Sequence, residues 1–236
     1  VLFVLIALGT AFAIGWWHLR NRGFRRARRW RALAYVAGLG AVGLALISPV
    51  DRLASLSFLV HMVQHELLIM IAPPLLLLAD PLPILLWGLP RKLRLGVRHL
   101  LARGAMVRRI LYSGTWMPVA WGVYVVNLWM WHLPVAYEAA LRNHLLHDLE
   151  HLTFFGTAVL FWWPIINPAP RLHGQVAYGF RILYILAATF QTVALGFAIA
   201  VTERVLYSHY AAAPRLWGLS PLDDQAYGGA IMSEAG

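Results

Sequence analysis

The feature that most constrains this chain is a series of long apolar blocks. They span residues 1–19, 32–47, 56–79, 111–131, 152–166 and 178–201. Several approach the ~20 residues with which an α-helix crosses the hydrocarbon core of a bilayer. Only 13% of the residues are charged, against about a quarter in soluble domains. The sequence therefore predicts an all-α fold, a polytopic transmembrane helix bundle that forms a single domain over residues 1–236.

The basic residues alternate from one connection to the next. The connections after the first, third and fifth apolar blocks hold seven, seven and two Lys or Arg residues, whereas the opposite connections hold four. This is the positive-inside pattern, so we expect the Arg-rich connections in the cytoplasm. Because loops of a membrane protein account for the net charge of +10, the sequence predicts contact with the lipid bilayer and no nucleic-acid partner.

The charge pattern and the apolar blocks together predict six spans plus a truncated seventh. We expect these helices over residues 1–19, 32–47, 55–78, 111–131, 143–163 and 178–201. The apolar segment from Pro81 to Pro90 is expected in the cytoplasmic interface, and Pro73-Pro74 is expected to kink the third helix. Apolar sequence is already present at Val1, and a further apolar stretch starts at Tyr227. We therefore interpret the sequence as trimmed at both ends.

Two pairs of histidines are the strongest functional signal in the sequence. His61 and His65 lie four residues apart on the third helix, and His147 and His151 lie four apart on the fifth. Residues at i and i+4 share one helix face. In the predicted topology, His61 and His147 lie at one depth below the outer surface, and His65 and His151 lie at a second, deeper level. Since ionisable residues within spans are costly and usually functional, the matched depths predict one buried histidine site near the external face.

Further polar residues extend this predicted site. His144 shares the face of His147 and His151, and His132 ends the fourth helix, so both are expected near the outer boundary as additional ligands. Glu150 and Asp148 are expected to orient the imidazoles through hydrogen bonds.

Four other polar side chains are expected close to the histidines. Gln64 lies in mid-span, where it either lines the site or bonds a neighbouring helix. Glu66 directly follows His65 in sequence but points about 100° away around the helix. Asp223 and Asp224 belong to an external connection, where acids attract cations, so they are expected to gather metal ions at the entrance.

Imidazole ligands alone do not identify the metal or cofactor that the site binds, because they suit copper, zinc, iron and haem iron. The run from His147 to His151 matches the H-x-x-E-H string of one zinc protease class. The chain has no cysteine, which excludes disulfides and thiolate zinc sites. The residues therefore indicate a copper site, a bis-histidine haem protein in electron transfer, or a metal-dependent membrane enzyme, either a zinc hydrolase or a di-iron oxygenase.

A set of uncommon strings also runs in order along almost the whole chain. They are Ser48-Pro49, Asp51, His61-Met-Val-Gln-His65, Ala72-Pro-Pro74, Asp80-Pro81, Trp131-His-Leu-Pro134, Tyr137, His144-Leu-Leu-His147-Asp-Leu-Glu-His151, Phe161-Trp-Trp-Pro164, Asp224-Gln225, Gly228-Gly229 and Ile231-Met232. In this combination they resemble the CtaG family of cytochrome c oxidase assembly factors. The family pattern continues beyond Met232 into another span, whereas this sequence reads Ser233-Glu-Ala-Gly236.

The resemblance implies a copper-binding assembly factor, and not an enzyme, in a bacterial plasma (inner) membrane. Its partner would be the catalytic subunit of a haem-copper cytochrome c oxidase, into which copper is inserted from an outward-facing site. The candidate ligands for copper are His61, His65, His147 and His151, followed by His144 and His132. Haem is the alternative cofactor that the residues allow, and a scaffold that only stabilises oxidase subunits is a further alternative function.

Overall fold

The computed structural model describes residues 1–24 and 28–235. Arg25 and Arg26 of the first Arg-rich connection lie outside the described residues, as does Gly236. Within the described residues the chain is helical and forms no strand, so the predicted all-α fold is confirmed. In chain order the helices are α1 (Leu2–Asn21), α2 (Arg29–Ile47), α3 (Pro49–Ala54), α4 (Phe58–Glu66), α5 (Ala72–Leu78), α6 (Pro81–Gly88), α7 (Arg91–Leu100), α8 (Met106–Gly114), α9 (Met117–His132), α10 (Pro134–Arg142), α11 (His144–Ile166), α12 (Tyr178–Ala200), α13 (Ser208–Ala212) and α14 (Pro221–Ala235).

Five helices in the described part of the chain are long and apolar enough to cross a membrane. They are α1, α2, the continuous stretch Phe58–Leu78, α11 and α12. The span expected over residues 111–131 is instead divided, because α8 ends at Gly114 and α9 begins at Met117. Pro118 lies in the first turn of α9, where its missing N–H is tolerated, and it disfavours a helix that runs in from α8. With 16 residues, α9 alone is shorter than the ~20 residues of a full span.

The stretch Phe58–Leu78 carries the first histidine pair and contains a π-helical turn, Leu67–Ile71, between α4 and α5. The turn directly precedes Pro73-Pro74, where the sequence predicts a kink, and such widened turns accommodate a break in the backbone bonds. Because Pro73 has no N–H, it cannot bond the carbonyl of Ile69 four residues earlier. Trp162 of α11 donates its indole N–H to this carbonyl oxygen at 3.1 Å. The proline therefore frees an acceptor that binds α11 to the histidine-bearing stretch.

The apolar segment after α5 forms helix α6, which packs against α1. Its Ile84 joins a buried cluster that includes Phe12 of α1 and Tyr35 of α2. Gly15 of α1 and Gly88 of α6 allow the two backbones to approach closely, since a Cβ at either position would collide with backbone atoms of the other helix. The segment is thus fixed to the α1–α2 layer, and its position in the cytoplasmic interface stays a prediction.

The two ends of the bundle carry different polar residues. We call the end with the Arg-rich connections the arginine end and the end with the two histidine pairs the histidine end. At the arginine end, where α2 begins and α5 and α11 end, Arg31 forms a 3.0 Å ion pair with Asp80. Asp80 also accepts a 2.8 Å hydrogen bond from the backbone N–H of Ala169, which follows α11. At the histidine end, α4 and α11 begin and α9 ends. The histidine pairs and the Arg-rich connections therefore lie at opposite ends of the helices.

Helix α14 closes the histidine end by packing against α4 and α12. Gly229 of α14 and Gly196 of α12 meet at their backbones, since a Cβ on either would lie 2.5 Å from the carbonyl oxygen of the other. In the first turn of α14, Asp224 accepts hydrogen bonds from Ser57 Oγ at 2.6 Å and from the Phe58 N–H at 2.7 Å. Asp224 therefore caps the N-terminus of the helix that carries the first histidine pair.

Removal of this cap is expected to destabilise the histidine end. Asp224→Ala leaves the Ser57 hydroxyl and the N–H groups of Phe58 and Leu59 unpaired, so we expect the free energy of unfolding to fall by about 2–3 kcal/mol. Titration of the purified protein with sodium dodecyl sulfate measures this loss. Glu203→Ala, which changes an exposed acid at the same end, is the control, with an expected change below about 0.5 kcal/mol. Equal losses in the two variants would contradict the capping role.

Candidate metal centre

Three helices bring five imidazole rings together at the histidine end. The ring centroids lie 4.4 Å apart for His61 and His65 on α4, and 4.2 Å apart for His147 and His151 on α11. Between the helices, His61 lies 5.3 Å from His147, and His65 lies 5.6 Å from His151. His132, at the end of α9, places its ring 6.2 Å from that of His65. The structure thus joins the two pairs at the matched levels that the sequence predicts.

Two overlapping groups of side chains have the spacing of metal ligands. In the first, His61, His65 and His151 each offer a ligand atom within 4.8 Å of the others, and all three residues are buried. The second group has the same spacing and consists of His61, His147 and Glu150. Because the groups share His61, they describe one compact centre rather than two separate ones. Imidazole-rich centres of this kind suit copper, zinc and iron.

The imidazole nitrogens in this centre lack the hydrogen bonds that buried polar atoms normally make. Within the described residues, no hydrogen-bond partner exists for the buried Nε2 atoms of His61, His65, His132, His147 and His151. Roughly nine tenths or more of buried polar groups are paired in native proteins, and an unpaired group is costly. A metal ion satisfies such nitrogens, because neutral imidazole is a metal ligand. The donor set therefore fits a metal ion held among the rings.

Two tyrosines fix the hydrogen-bonding state of His61. Tyr210 donates its hydroxyl to the Ala54 carbonyl at 3.0 Å, so its oxygen accepts from the His61 Nδ1–H at 2.7 Å. The Tyr137 hydroxyl lies 2.8 Å from the same nitrogen. Burial raises the pKa of both phenols well above the usual value, which keeps them protonated. With its proton on Nδ1, His61 presents the Nε2 lone pair to the centre.

His132 is fixed in a similar way from α9. Its Nδ1 donates to the carbonyl of Leu128, one turn earlier, at 2.7 Å, which leaves Nε2 as the open nitrogen. Tyr207 donates its hydroxyl to the His132 carbonyl at 3.0 Å and stacks on Phe58 with ring centroids 5.0 Å apart. The third helix of the centre is therefore also held by a tyrosine from the connection that follows α12.

Tyr207 and Tyr210 are site residues that sequence reasoning missed. The sequence offers no clear signal for them, because the connection between α12 and α14 mixes apolar and polar residues and neither tyrosine belongs to a recognisable pattern. Their partners could not have been found from the sequence, because Tyr210 and His61 are 149 residues apart in the chain. Tyr137 was found only as part of a family string, without its contact to His61.

Glu150 occupies a different place from the one expected. It is fully buried, and its Oε1 lies 3.7 Å from His65 Nε2. Neither carboxylate oxygen has a hydrogen-bond partner within the described residues. We expected Glu150 to orient an imidazole from behind, but its carboxylate lies among the metal-ligand atoms instead. The structure therefore makes Glu150 a candidate ligand.

Gln64 and Glu66 lie outside the centre. Gln64 donates to the Ala45 carbonyl at 2.8 Å and to Asp51 Oδ1 at 2.9 Å, which ties α4 to α2 and α3. Gln64 was expected either to line the site or to bond a neighbouring helix, and in the structure it bonds neighbouring helices. Glu66 is half-buried and belongs to neither group of metal-ligand residues.

The acids expected at the entrance serve as helix caps. Asp223 accepts a 2.6 Å hydrogen bond from Ser220 Oγ at the start of α14, and Asp224 caps α4. The expected role of both carboxylates in gathering metal ions stays a prediction. The cleft that reaches the histidines is lined instead by His144 and Asp148, two exposed residues at the beginning of α11.

The fold and the centre together define a helical membrane protein with a buried, imidazole-rich cluster whose spacing would suit a metal ion. The chain matches the Caa3_CtaG family, described as cytochrome c oxidase caa3 assembly factor, over residues 10–236. The chain belongs to this family, and the resemblance noted in the sequence is confirmed.

Similar proteins occur in mycobacteria and are uncharacterized. Those of Mycobacterium bovis and Mycobacterium tuberculosis are each 27% identical to this chain over 235 residues, which cover 96% of this chain and 34% of the relative. The protein of Mycobacterium leprae is 25% identical over 246 residues, covering 98% of this chain and 35% of the relative. The chain thus spans about a third of the length of these relatives. No solved structure matches it significantly.

The tyrosine contact predicts that Tyr210→Phe weakens metal binding without removing a ligand. Loss of the Tyr210 acceptor leaves the Tyr137 hydroxyl as the remaining partner of His61 Nδ1–H, so the ring is held less firmly. Removal of an orienting group typically lowers metal affinity ~10–100-fold, and we expect a loss near the lower end of this range. Competition for Cu(I) between the purified protein and a chromogenic chelator measures the affinity. Tyr227→Phe, at an exposed phenol on α14, is the matched control and should leave the affinity unchanged. If Tyr210→Phe also has no effect, the contact does not position His61.

Proposed function

We propose that this chain binds copper as cargo and delivers it to the catalytic subunit of a haem-copper cytochrome c oxidase, without being an enzyme itself. His61, His65 and His151 hold the ion, with His132 and His147 beside them. The observation that carries this proposal is the group of buried imidazole nitrogens without hydrogen-bond partners in the described residues. Membership in a family of oxidase assembly factors supports the recipient.

The ligand chemistry favours copper over the other candidate metals. For a given nitrogen site, affinity along the first-row divalent metals peaks at copper. The carboxylate of Glu150 supplies a negative charge that offsets the charge of the ion, which is valuable where the dielectric is low. Three imidazoles and one carboxylate form a complete set of ligands without any thiolate, in keeping with a chain that has no cysteine.

The site faces the external side of a bacterial plasma (inner) membrane in this proposal. Helices α8 and α9 together make one crossing, which with the five long apolar helices gives six spans, and α14 follows the sixth span at the histidine end. The positive-inside rule then assigns the Arg-rich connections to the cytoplasm. Because the histidine pairs lie at the opposite end of the helices, copper is taken up and released on the external side.

The spacing of the rings favours a bare ion over haem as the bound group. Bis-histidine haem ligation needs room for a flat macrocycle between two imidazoles. Neighbouring ring centroids in this centre lie only 4.2 Å to 6.2 Å apart, and the Glu150 carboxylate lies against His65. A single ion, in contrast, needs little space and can be coordinated by several of these closely spaced rings at once.

Copper binding should be lost when two ligands are removed together. His65→Ala with His151→Ala takes away one imidazole from each helix, and we expect the affinity for copper to fall at least ~1,000-fold, since each ligand contributes several kcal/mol. Metal and haem analysis of the purified protein measures copper retained after gel filtration. The matched control, His18→Ala with His99→Ala, removes two histidines at the arginine end and should retain copper fully. Retention of copper by the first variant would refute this site.

The same variants separate copper delivery from the alternative functions. In cells, His65→Ala with His151→Ala should abolish assembly of active oxidase, whereas the control pair should support it. A scaffold that only stabilises oxidase subunits predicts full assembly with both. If the purified protein shows a Soret band, and the band is lost in the His65→Ala, His151→Ala variant, the bound group is haem. If Glu150→Gln abolishes a metal-dependent activity while the metal is retained, the protein is an enzyme.

A further inference from the structure

A lateral cleft opens beside the histidine centre, between α2 and α3 on one side and α11 on the other. Its volume is about 410 Å³. The polar part of its wall is formed by Asp51, His144 and Asp148, and it extends to His147 and His151. Apolar side chains of α2 and α11, together with Val1 and Leu68, complete the wall. The lateral cleft is therefore an opening with a charged mouth that reaches two members of the imidazole cluster.

The inner end of the lateral cleft carries an unsatisfied metal-type ligand. His151 is only 5% exposed, lines the cleft and has no hydrogen-bond partner for Nε2 among the described residues. It also belongs to the buried group with His61 and His65. One side chain thus connects the cleft with the proposed binding site.

Three histidines form a graded series along α11. His144, His147 and His151 follow each other at i, i+3 and i+7, so they share one face of the helix. His144 is exposed, His147 is half-buried and His151 is buried. All three line the lateral cleft. A cation that passes from one ring to the next would exchange imidazole ligands at each step.

We propose that the lateral cleft is the route by which a copper ion reaches the buried site. Asp51 and Asp148 attract the cation to the mouth, and His144 and then His147 transfer it to His151. The series lowers the barrier to entry of the ion. Moving an uncoordinated ion into a low-dielectric interior costs tens of kcal/mol of solvation free energy. Stepwise ligand exchange replaces water by imidazole and avoids this barrier. The inference rests on the proposed function, since it assigns the path to the site described there.

Stopped-flow mixing of the purified protein with Cu(II) tests this route, with quenching of tryptophan fluorescence as the readout of loading. The test variant is Asp148→Asn with His144→Ala, which changes two exposed side chains at the mouth. We expect its loading rate to fall ~10-fold, because charged clefts raise association rates by this order or more. The amount of copper bound at equilibrium should stay within about twofold of the unaltered protein, since no ligand of the buried group is removed.

Two further variants make the result specific. Glu203→Gln with His99→Ala changes one exposed acid and one exposed histidine away from the lateral cleft, and it should load at the rate of the unaltered protein. Leu152→Phe adds bulk to an apolar wall residue without adding a tryptophan to the fluorescence signal, and it should slow loading without changing any ligand. Increasing ionic strength should slow loading of the unaltered protein more than that of the Asp148→Asn, His144→Ala variant.

The outcomes distinguish the route from the proposed function. Equal loading rates in the unaltered protein and the mouth variant would overturn the route while leaving copper binding intact. Loss of copper at equilibrium in the mouth variant would also overturn it, because His144 or Asp148 would then be a permanent ligand. If the unaltered protein binds no copper at all, the proposed function fails and the route fails with it.

Discussion

The relative position of α4 and α11 along their axes is the constraint on which the candidate site depends. His61 meets His147, and His65 meets His151, only while the two helices keep their present offset. A slide by one turn, ~5.4 Å, would pair one histidine from each helix and separate the other two. In a bilayer, apolar contacts with lipid and with protein are nearly equivalent, so the hydrophobic effect cannot hold this offset. Close packing and directional polar contacts between helices hold it instead.

Two tryptophans provide such contacts on α11. Because Pro73 leaves the Ile69 carbonyl without its helical donor, the Trp162 indole N–H can bond that carbonyl at 3.1 Å, near the middle of the bundle. Nearer the centre, Trp131 of α9 donates to Thr153 Oγ1 at 2.8 Å. One helix is thus fixed at two levels against two different neighbours. Pro73 and Trp162, which lie away from the rings, therefore contribute to the geometry of the rings together with Trp131 beside them.

The sequence was sufficient to predict which histidines come together. It was insufficient to predict the hydrogen bonds that hold their helices and rings in position. Helical period and charge alternation are local properties, and together they brought His61, His65, His147 and His151 to matched levels. The cap from Asp224 and the contact from Tyr210 join residues that are 149 or more positions apart, and no local pattern encodes them. Hydrophobicity alone also could not reveal that the chain breaks between α8 and α9, because apolar residues occur on both sides of the break.

Glu150 illustrates a different limit of prediction. Its spacing from His147 and His151 is compatible with a ligand and with a hydrogen-bonding partner, and only packing decides between the two. The structure buries it with both oxygens unpaired among the described residues, close to His65. If the centre binds copper as proposed, an ionised carboxylate in this position would add a negative charge that neutral imidazoles lack, and it would favour the more highly charged oxidation state of the ion.

The two ends of the bundle are held together to different degrees. At the arginine end, Asp80 connects the start of α2, through Arg31, with the backbone that follows α11 at Ala169. Towards the histidine end, the same two helices, α2 and α11, border the lateral cleft. In the proposed route, a cation passes between these helices at one end while the polar contacts at the other end keep the helices in place. The residues that line the cleft and the residues that hold the arginine end are different ones, so a change in the cleft leaves the contacts at the arginine end intact.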